Sequence, residues 1–210
     1  MSGTSRFGLR APDGRALVLA STSRWRRGML ETAGIEVISE DPAFDERSVV
    51  DRDPFALAMA LGRAKADAVV GRHPGHLILG ADQVLWTGDE IQGKPPDSEE
   101  HVRRLLNLRG RSHSLITGVT VRVDGGGVVA SFHAETRMRV RADVTEAEVR
   151  AYVTDGEGAG CAGGYAAEGR GAFLFDAVDG DWFNVVGLPV FAVVGALRGL
   201  GWRFGEVGHG

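Results

Sequence analysis

The chain has 210 residues, 43% of them apolar and 25% charged, the balance of a soluble globular protein large enough to bury its own core. Lys and Arg number 24 against 28 Asp and Glu, which excludes the dominant basic footprint of an extended nucleic-acid binder but not a local cluster for a small anion. No apolar run approaches the roughly 20 residues that a membrane span needs, and the single cysteine, Cys161, excludes an internal disulfide and a zinc-ligand spacing, so a reducing, cytoplasmic setting is expected.

Residues 1–15 are polar and carry no apolar signal segment, and they read as a short disordered lead. The apolar run ALVLA at 16–20 predicts a buried strand. Ser21-Thr22-Ser23 then offers a helix cap, and 24–33 reads as a helix ending at Gly34. A strand is expected at 35–38, and a polar loop through Phe44-Asp45-Glu46 leads to a helix over 54–70, with Leu57, Leu61, Ala64 and Ala68 on one face. LILGA at 77–81 predicts a second buried strand that ends in Asp82-Gln83, followed by strand-like Val84-Leu85-Trp86 and a turn at 87–90.

Asp97 with Glu100, and Thr145 with Glu148, match the spacing of capping boxes at the starts of two further helices, the second ending near Tyr152. Between them, 112–123 and 128–140 alternate as the strands of a hairpin around Gly125-Gly126-Gly127. A strand at 172–178 and a helix at 189–197 complete the reading. The expectation is one α/β domain over 16–204, a mixed twisted sheet with flanking helices forming two lobes around a cleft, with a tail at 205–210.

Three segments carry chemistry. Ser21 to Arg27 crowds Arg24, Arg26 and Arg27 into the first turn of a helix, an end that already carries partial positive charge and free N–H groups. That arrangement suits a phosphate, gripped by arginine forks; a solvated basic face is the other reading. Asp82, after an apolar strand, could hold a metal, take a proton from water, or both, or simply cap a turn. Lys94, between Gly93 and Pro95, could offer a point charge to phosphate, and Lys65 borders the apolar stripe of its helix, snorkelling or pointing into a cleft. The Asp45-Glu46 pair suits a hard cation. No P-loop, H-E-x-x-H or nucleophile-elbow pattern occurs. Cations for phosphate and carboxylates for metal favour phosphoryl chemistry over acyl transfer.

Taken in order, LVLASTSRWRRGMLETAGI, the FDE loop, LGRAKA, ILGADQVLWTGDEIQGKP, GRSHSLITGV and CAGGYAAEGRGAFLF with GDWFNVVGLP resemble the Maf family of nucleotide pyrophosphatases, over nearly the whole chain. The resemblance implies an inosine-triphosphate-pyrophosphatase type of fold with a deep cleft, often as a homodimer. It also implies Mg²⁺- or Mn²⁺-dependent hydrolysis of a nucleoside triphosphate between the α- and β-phosphates. Asp82 matches the catalytic acid/base. Ser21, Arg26, Arg27, Lys65 and Lys94 match phosphate-facing positions, and Glu46 and Asp82 are the carboxylates placed nearest the metal. Trp25, Gln83 and Glu168 stand where the family separates substrates. The dTTP/UTP branch carries Arg, Thr and Gln there, whereas Trp/Gln/Glu resembles the 7-methyl-GTP branch, whose cationic ring would stack on an indole beside a carboxylate. The family's usual proline is Arg24 in this chain. A small nucleotide is the expected partner, with no stable nucleic acid and no membrane. A non-catalytic nucleotide-binding regulator of cell division is the alternative of another class.

Overall fold

The structure, a computed structural model, describes residues 7–206. A first strand, β1 (Phe7–Arg10), lies within the stretch read as a disordered lead. It pairs antiparallel with β9 (Arg203–Glu206), so the described part of the lead is held by a long-range partner that local polarity does not announce. Residues 1–6 of the lead and 207–210 of the tail lie outside the described residues.

β2 (Leu17–Ala20) is wholly buried. Ser23 caps α1 (Arg24–Thr32) by accepting the Arg26 N–H, and β3 (Val37–Glu40) follows. Asp53 accepts the Phe55 and Ala56 N–H groups to start α2 (Pro54–Asp67), with proline at the first helical position, where its missing donor costs nothing. The two predicted strands around Asp82-Gln83 are a single strand, β4 (Leu77–Trp86), with a two-residue partner, β5 (Ile91–Gln92). Asp97 caps α3 (Ser98–Asn107), but only half of the expected box forms. The Glu100 carboxylate turns outward to Arg103 and Arg104, whose charge-assisted bonds at 2.6–2.7 Å outbid a lone backbone N–H.

The hairpin of β6 (Ser112–Val123) and β7 (Val128–Val140) forms as expected, and the Thr145/Glu148 box opens α4 (Glu146–Asp155). The strand expected from 172 starts later, as β8 (Phe175–Asp179), after a 3-10 helix at Arg170–Leu174. Two helices, α5 (Trp182–Val186) and α6 (Val190–Gly199), then lead to β9.

The main sheet runs β3-β2-β4-β6-β7-β8, with β2 parallel to both neighbours and the remaining pairs antiparallel. Alternation along the strands divides its faces. On one face Leu17, Leu19, Leu77 and Leu79 pack with Leu30 of α1 and with Val190, Val193 and Leu197 of α6. Farther along the same face Leu85, Leu115 and Met138 pack with α3 and α4. These two clusters are the lobes. Between their strand pairs Ala81–Val119 and Leu85–Leu115 sits the polar pair Gln83–Thr117.

The opposite face carries α2, with Ala58, Leu61 and Ala66 against Val18, Ile78, Val84 and Ile116. Backbone meets backbone there, since a Cβ at Gly118 would lie 2.2 Å from the Ala58 carbonyl oxygen and one at Gly80 2.3 Å from that of Gly62. This close approach brings Lys65 down onto the sheet beside Asp82. No helix among the described residues is long and apolar enough to cross a membrane.

Candidate active site

The pairing of β2 with β4 stops at Leu19–Leu79, and β5 closes the same edge of β4 only at Leu85–Trp86. Asp82 and Gln83 therefore lie in a window where one edge of β4 is open, just past the carboxyl end of parallel β2, the place where α/β sheets collect ligands. Because side chains alternate, Asp82 points to the α2 face and Gln83 to the face between the lobes.

A cleft of about 360 Å³ opens at this window. Ser21, Trp25, Arg26, Glu46, Lys65, Asp82, Gln83, Lys94 and Glu168 all line it. Arg27, expected among the phosphate-facing residues, does not: it lies on the exposed side of α1, with Nε donating to Glu31 at 2.7 Å. Arg26, one residue earlier in α1, is instead buried and held by the Gly187 carbonyl.

The charged end is built around Lys65, which is 7% exposed. Its Nζ lies 2.6 Å from Asp82 Oδ1 and 2.7 Å from Glu46 Oε1. Arg26 is anchored by Nε donating to the Gly187 carbonyl at 2.9 Å, and its Nη2 reaches 3.8 Å from the same Asp82 oxygen. Burial pulls the Arg26 guanidinium below its usual range, opposed by the charges of Asp82 and Glu46. Burial also works to raise the Glu46 carboxyl, but the Lys65 hydrogen bond and the charges of Lys65, Lys94 and Arg26 outweigh it and hold the group below the ordinary carboxylate value.

Lys94 has no ion pair or hydrogen bond among the described residues, and neither Asp82 Oδ2 nor Glu46 Oε2 has a hydrogen-bond partner there. These two oxygens fit a hard divalent ion that keeps water and phosphate oxygens as its remaining ligands. The described residues form no cluster of three or more His, Cys, Asp or Glu that could hold a metal without such help.

The other end of the cleft is aromatic and neutral or acidic. Trp25 is 40% exposed rather than packed in the core, and the Arg24 guanidinium stands 4.7 Å from its ring centre. Gln83 Nε2 donates to the Asn184 carbonyl at 2.6 Å and to Thr117 Oγ1 at 3.1 Å, which turns the amide oxygen to the cleft as an acceptor. Asn184 is itself fully buried, its Nδ2 donating to the Leu115 carbonyl and Thr136 Oγ1, both at 3.1 Å. Glu168 faces this end, its carboxyl pushed up by burial and then by the nearby charge of Glu157.

Sequence reading missed α5 and its consequences. The carbonyls of Asn184 and Gly187 orient Gln83 and Arg26, two residues far away in the chain. The signal was present in Asp181, which caps the helix by accepting the Phe183 N–H, and in Gly187, which ends it at φ 118. Cys161 and Tyr165 also line the cleft, the thiol pushed up by burial and by Glu168 and Glu157.

The family model described as Maf-like protein matches residues 16–200. A dTTP/UTP pyrophosphatase of Symbiobacterium thermophilum is 38% identical over 92% of this chain and 98% of its own length. A nucleoside triphosphate pyrophosphatase of Rhodopseudomonas palustris is 39% identical over 87% of this chain and 92% of its own. A 7-methyl-GTP pyrophosphatase of Rhizobium johnstonii is 35% identical over 88% and 96%. Among solved structures, the Ham1 protein of Staphylococcus aureus matches with a TM-score of 0.43 and 16% identity, over 61% of this chain and 73% of that one. The stretch matched by the family model contains every residue of the cleft, and the chain belongs to the Maf family.

Proposed function

We propose that the protein hydrolyses a nucleoside triphosphate between its α- and β-phosphates, releasing the nucleoside monophosphate and pyrophosphate. The carrying observation is the one cleft that gathers Arg26, Lys65 and Lys94 around Asp82 at one end and Trp25, Gln83 and Glu168 at the other. The names of the relatives support the same reaction.

Asp82 takes the proton of an attacking water. The water oxygen forms a bond to the α-phosphorus while the bond to the bridging oxygen breaks, and pyrophosphate leaves with that electron pair. Arg26, Lys65 and Lys94 neutralise the charge that builds on the leaving group, from positions already set before the substrate arrives. Asp82 and Glu46 would hold a Mg²⁺ or Mn²⁺ ion, which supplies polarisation of the phosphate when bound.

For the base we favour 7-methylguanine. An exposed indole, a carboxylate and an acceptor amide oxygen together suit a cationic ring with an N–H edge. The Arg24 stack on Trp25 favours a second reading, a neutral pyrimidine of dTTP or UTP, since a guanidinium already on the indole opposes a second cation. Exposed Trp182 and Phe191, at 46% and 70%, support the homodimer as part of the same reading.

The test is pyrophosphate release over 7-methyl-GTP, GTP, dTTP, UTP and CTP with and without Mg²⁺ or Mn²⁺, alongside Asp82→Asn. We expect metal-dependent release led by 7-methyl-GTP, with turnover lost in Asp82→Asn and the fold intact by circular dichroism. A pyrimidine-led profile selects the second reading. Binding without turnover in the unaltered protein replaces the enzyme with a nucleotide-binding regulator.

A further inference from the structure

Glu157 stands just after Gly156, the left-handed residue (φ 80) that ends α4, and the chemistry above makes no use of it. Its side chain is only 16% exposed, and its two oxygens have separate duties. Oε1 accepts the Arg170 N–H and Oε2 the Gly171 N–H, each at 3.0 Å. A few residues earlier, the Tyr152 hydroxyl accepts the Ala166 N–H at 2.9 Å. Between these anchors the Gly169 N–H donates to the Ala166 carbonyl at 3.1 Å, closing a turn that carries Glu168. The anchoring leaves no slack: a Cβ at Gly169 would lie 2.4 Å from Glu157 Oε1, and one at Gly171 2.8 Å from the Tyr152 hydroxyl.

Only a carboxylate offers two acceptor oxygens to two converging amides. A glutamine at 157 would satisfy one and turn an NH₂ group toward the other, leaving a donor without a partner. The turn would loosen at its C-terminal end, and the direction of Glu168 would loosen with it.

We infer that Glu157 is a positioning residue for base selection: by clamping the amides that follow Glu168 it aims that carboxylate at the nucleobase without touching the substrate. The inference rests on the base-reading role proposed above for Glu168. It places part of the protein's selectivity in a residue behind the wall of the cleft.

The experiment is steady-state kinetics over the same nucleotide panel for the unaltered protein, Glu157→Gln, Glu168→Gln and the double variant. Binding of α,β-methylene triphosphates carrying the same bases supplies the ranking as Kd values independently of turnover. In Glu157→Gln we expect KM for the preferred nucleotide to rise roughly tenfold, the worth of a hydrogen bond to a charged group, with kcat within about twofold. KM for the other nucleotides should move much less, so the ranking flattens. On the Glu168→Gln background the second change should add nothing.

A uniform fall of kcat for every nucleotide with KM and ranking unchanged assigns Glu157 a merely structural role and overturns the inference. If Glu168→Gln leaves the ranking intact, the base-reading role fails and the inference falls with it. If Glu168→Gln alters the ranking and folded Glu157→Gln does not, only the positioning role fails. Should Glu157→Gln not fold, Tyr152→Phe frees the other end of the same turn while keeping the ring in place, and the same outcomes apply to it.

Discussion

Lys65→Met removes the one cation that bridges two carboxylates at the floor of the cleft, while keeping most of the side chain's volume. In the folded protein Lys65 Nζ sits 2.6 Å from Asp82 Oδ1 and 2.7 Å from Glu46 Oε1, and Asp82 is only 8% exposed. Breaking a buried pair by deleting one partner costs about 3–5 kcal/mol. Two features reduce that figure here. Arg26 Nη2 stays 3.8 Å from the same Asp82 oxygen, and the Glu46 side chain, 47% exposed, can turn toward water. The expected loss is about 2–3 kcal/mol, or roughly 5–10 °C in Tm for a chain of this size. Calorimetry and urea unfolding read it directly, with an unchanged m-value showing that the unfolded state is the same. Adding Asp82→Asn to Lys65→Met should restore about 1 kcal/mol or more, because the orphaned charge is gone, and such non-additivity is the signature of direct coupling. A Tm within about 2 °C of the unaltered protein, or a double variant less stable than Lys65→Met alone, would show that Lys65 does not stabilise the two carboxylates.

Acid should destabilise the protein before its carboxylates titrate. Burial holds His113, hydrogen-bonded to the Tyr165 hydroxyl, neutral and lowers its pKa from 6.5 to about 4. Its contribution is fully present above pH 6.5 and lost as pH falls toward 4, since the unfolded chain binds the proton first. We expect a loss of roughly 2–3 kcal/mol between pH 7 and 4.5, a slope that His113→Phe should largely remove. Gly118→Ala should cost about 3 kcal/mol or more, because its Cβ would meet the α2 backbone at 2.2 Å. Gly28→Ala, inside α1 with nothing within 4 Å of the added Cβ, should instead stabilise by about 0.5–1 kcal/mol in the same thermal assay.

Much of the fold was legible because local rules governed it. ALVLA and LILGA read as buried strands and form as such, and the Thr145/Glu148 box and the hairpin around Gly125 form as their residues dictate. Legibility failed where a distant partner decided. Phe7–Arg10 is too short to signal a strand without β9, and the half-formed box at Asp97 turned on which cations lie near Glu100. Asp82 read as the end of a strand because Asp-Gln interrupts an apolar run. In the sheet that polar break is the window left open between the partners β2 and β5, and the strand passes through it.

For the site, residue types and their order pointed to the cations and carboxylates and favoured phosphoryl chemistry, whereas Trp25, Gln83 and Glu168 came only from the resemblance to the Maf family. The direction of each side chain came from packing. Arg26 rather than Arg27 enters the cleft, because the Gly187 carbonyl holds Arg26 while Glu31 holds Arg27 on the exposed side of α1. Lys65 meets Asp82, because glycines at 62, 80 and 118 let α2 lie backbone against the sheet. Gln83 presents its oxygen, because carbonyl and hydroxyl acceptors from α5 and β6 take its nitrogen. Composition and spacing record which groups are available, but a hydrogen bond between residues a hundred positions apart exists only once packing has brought them together.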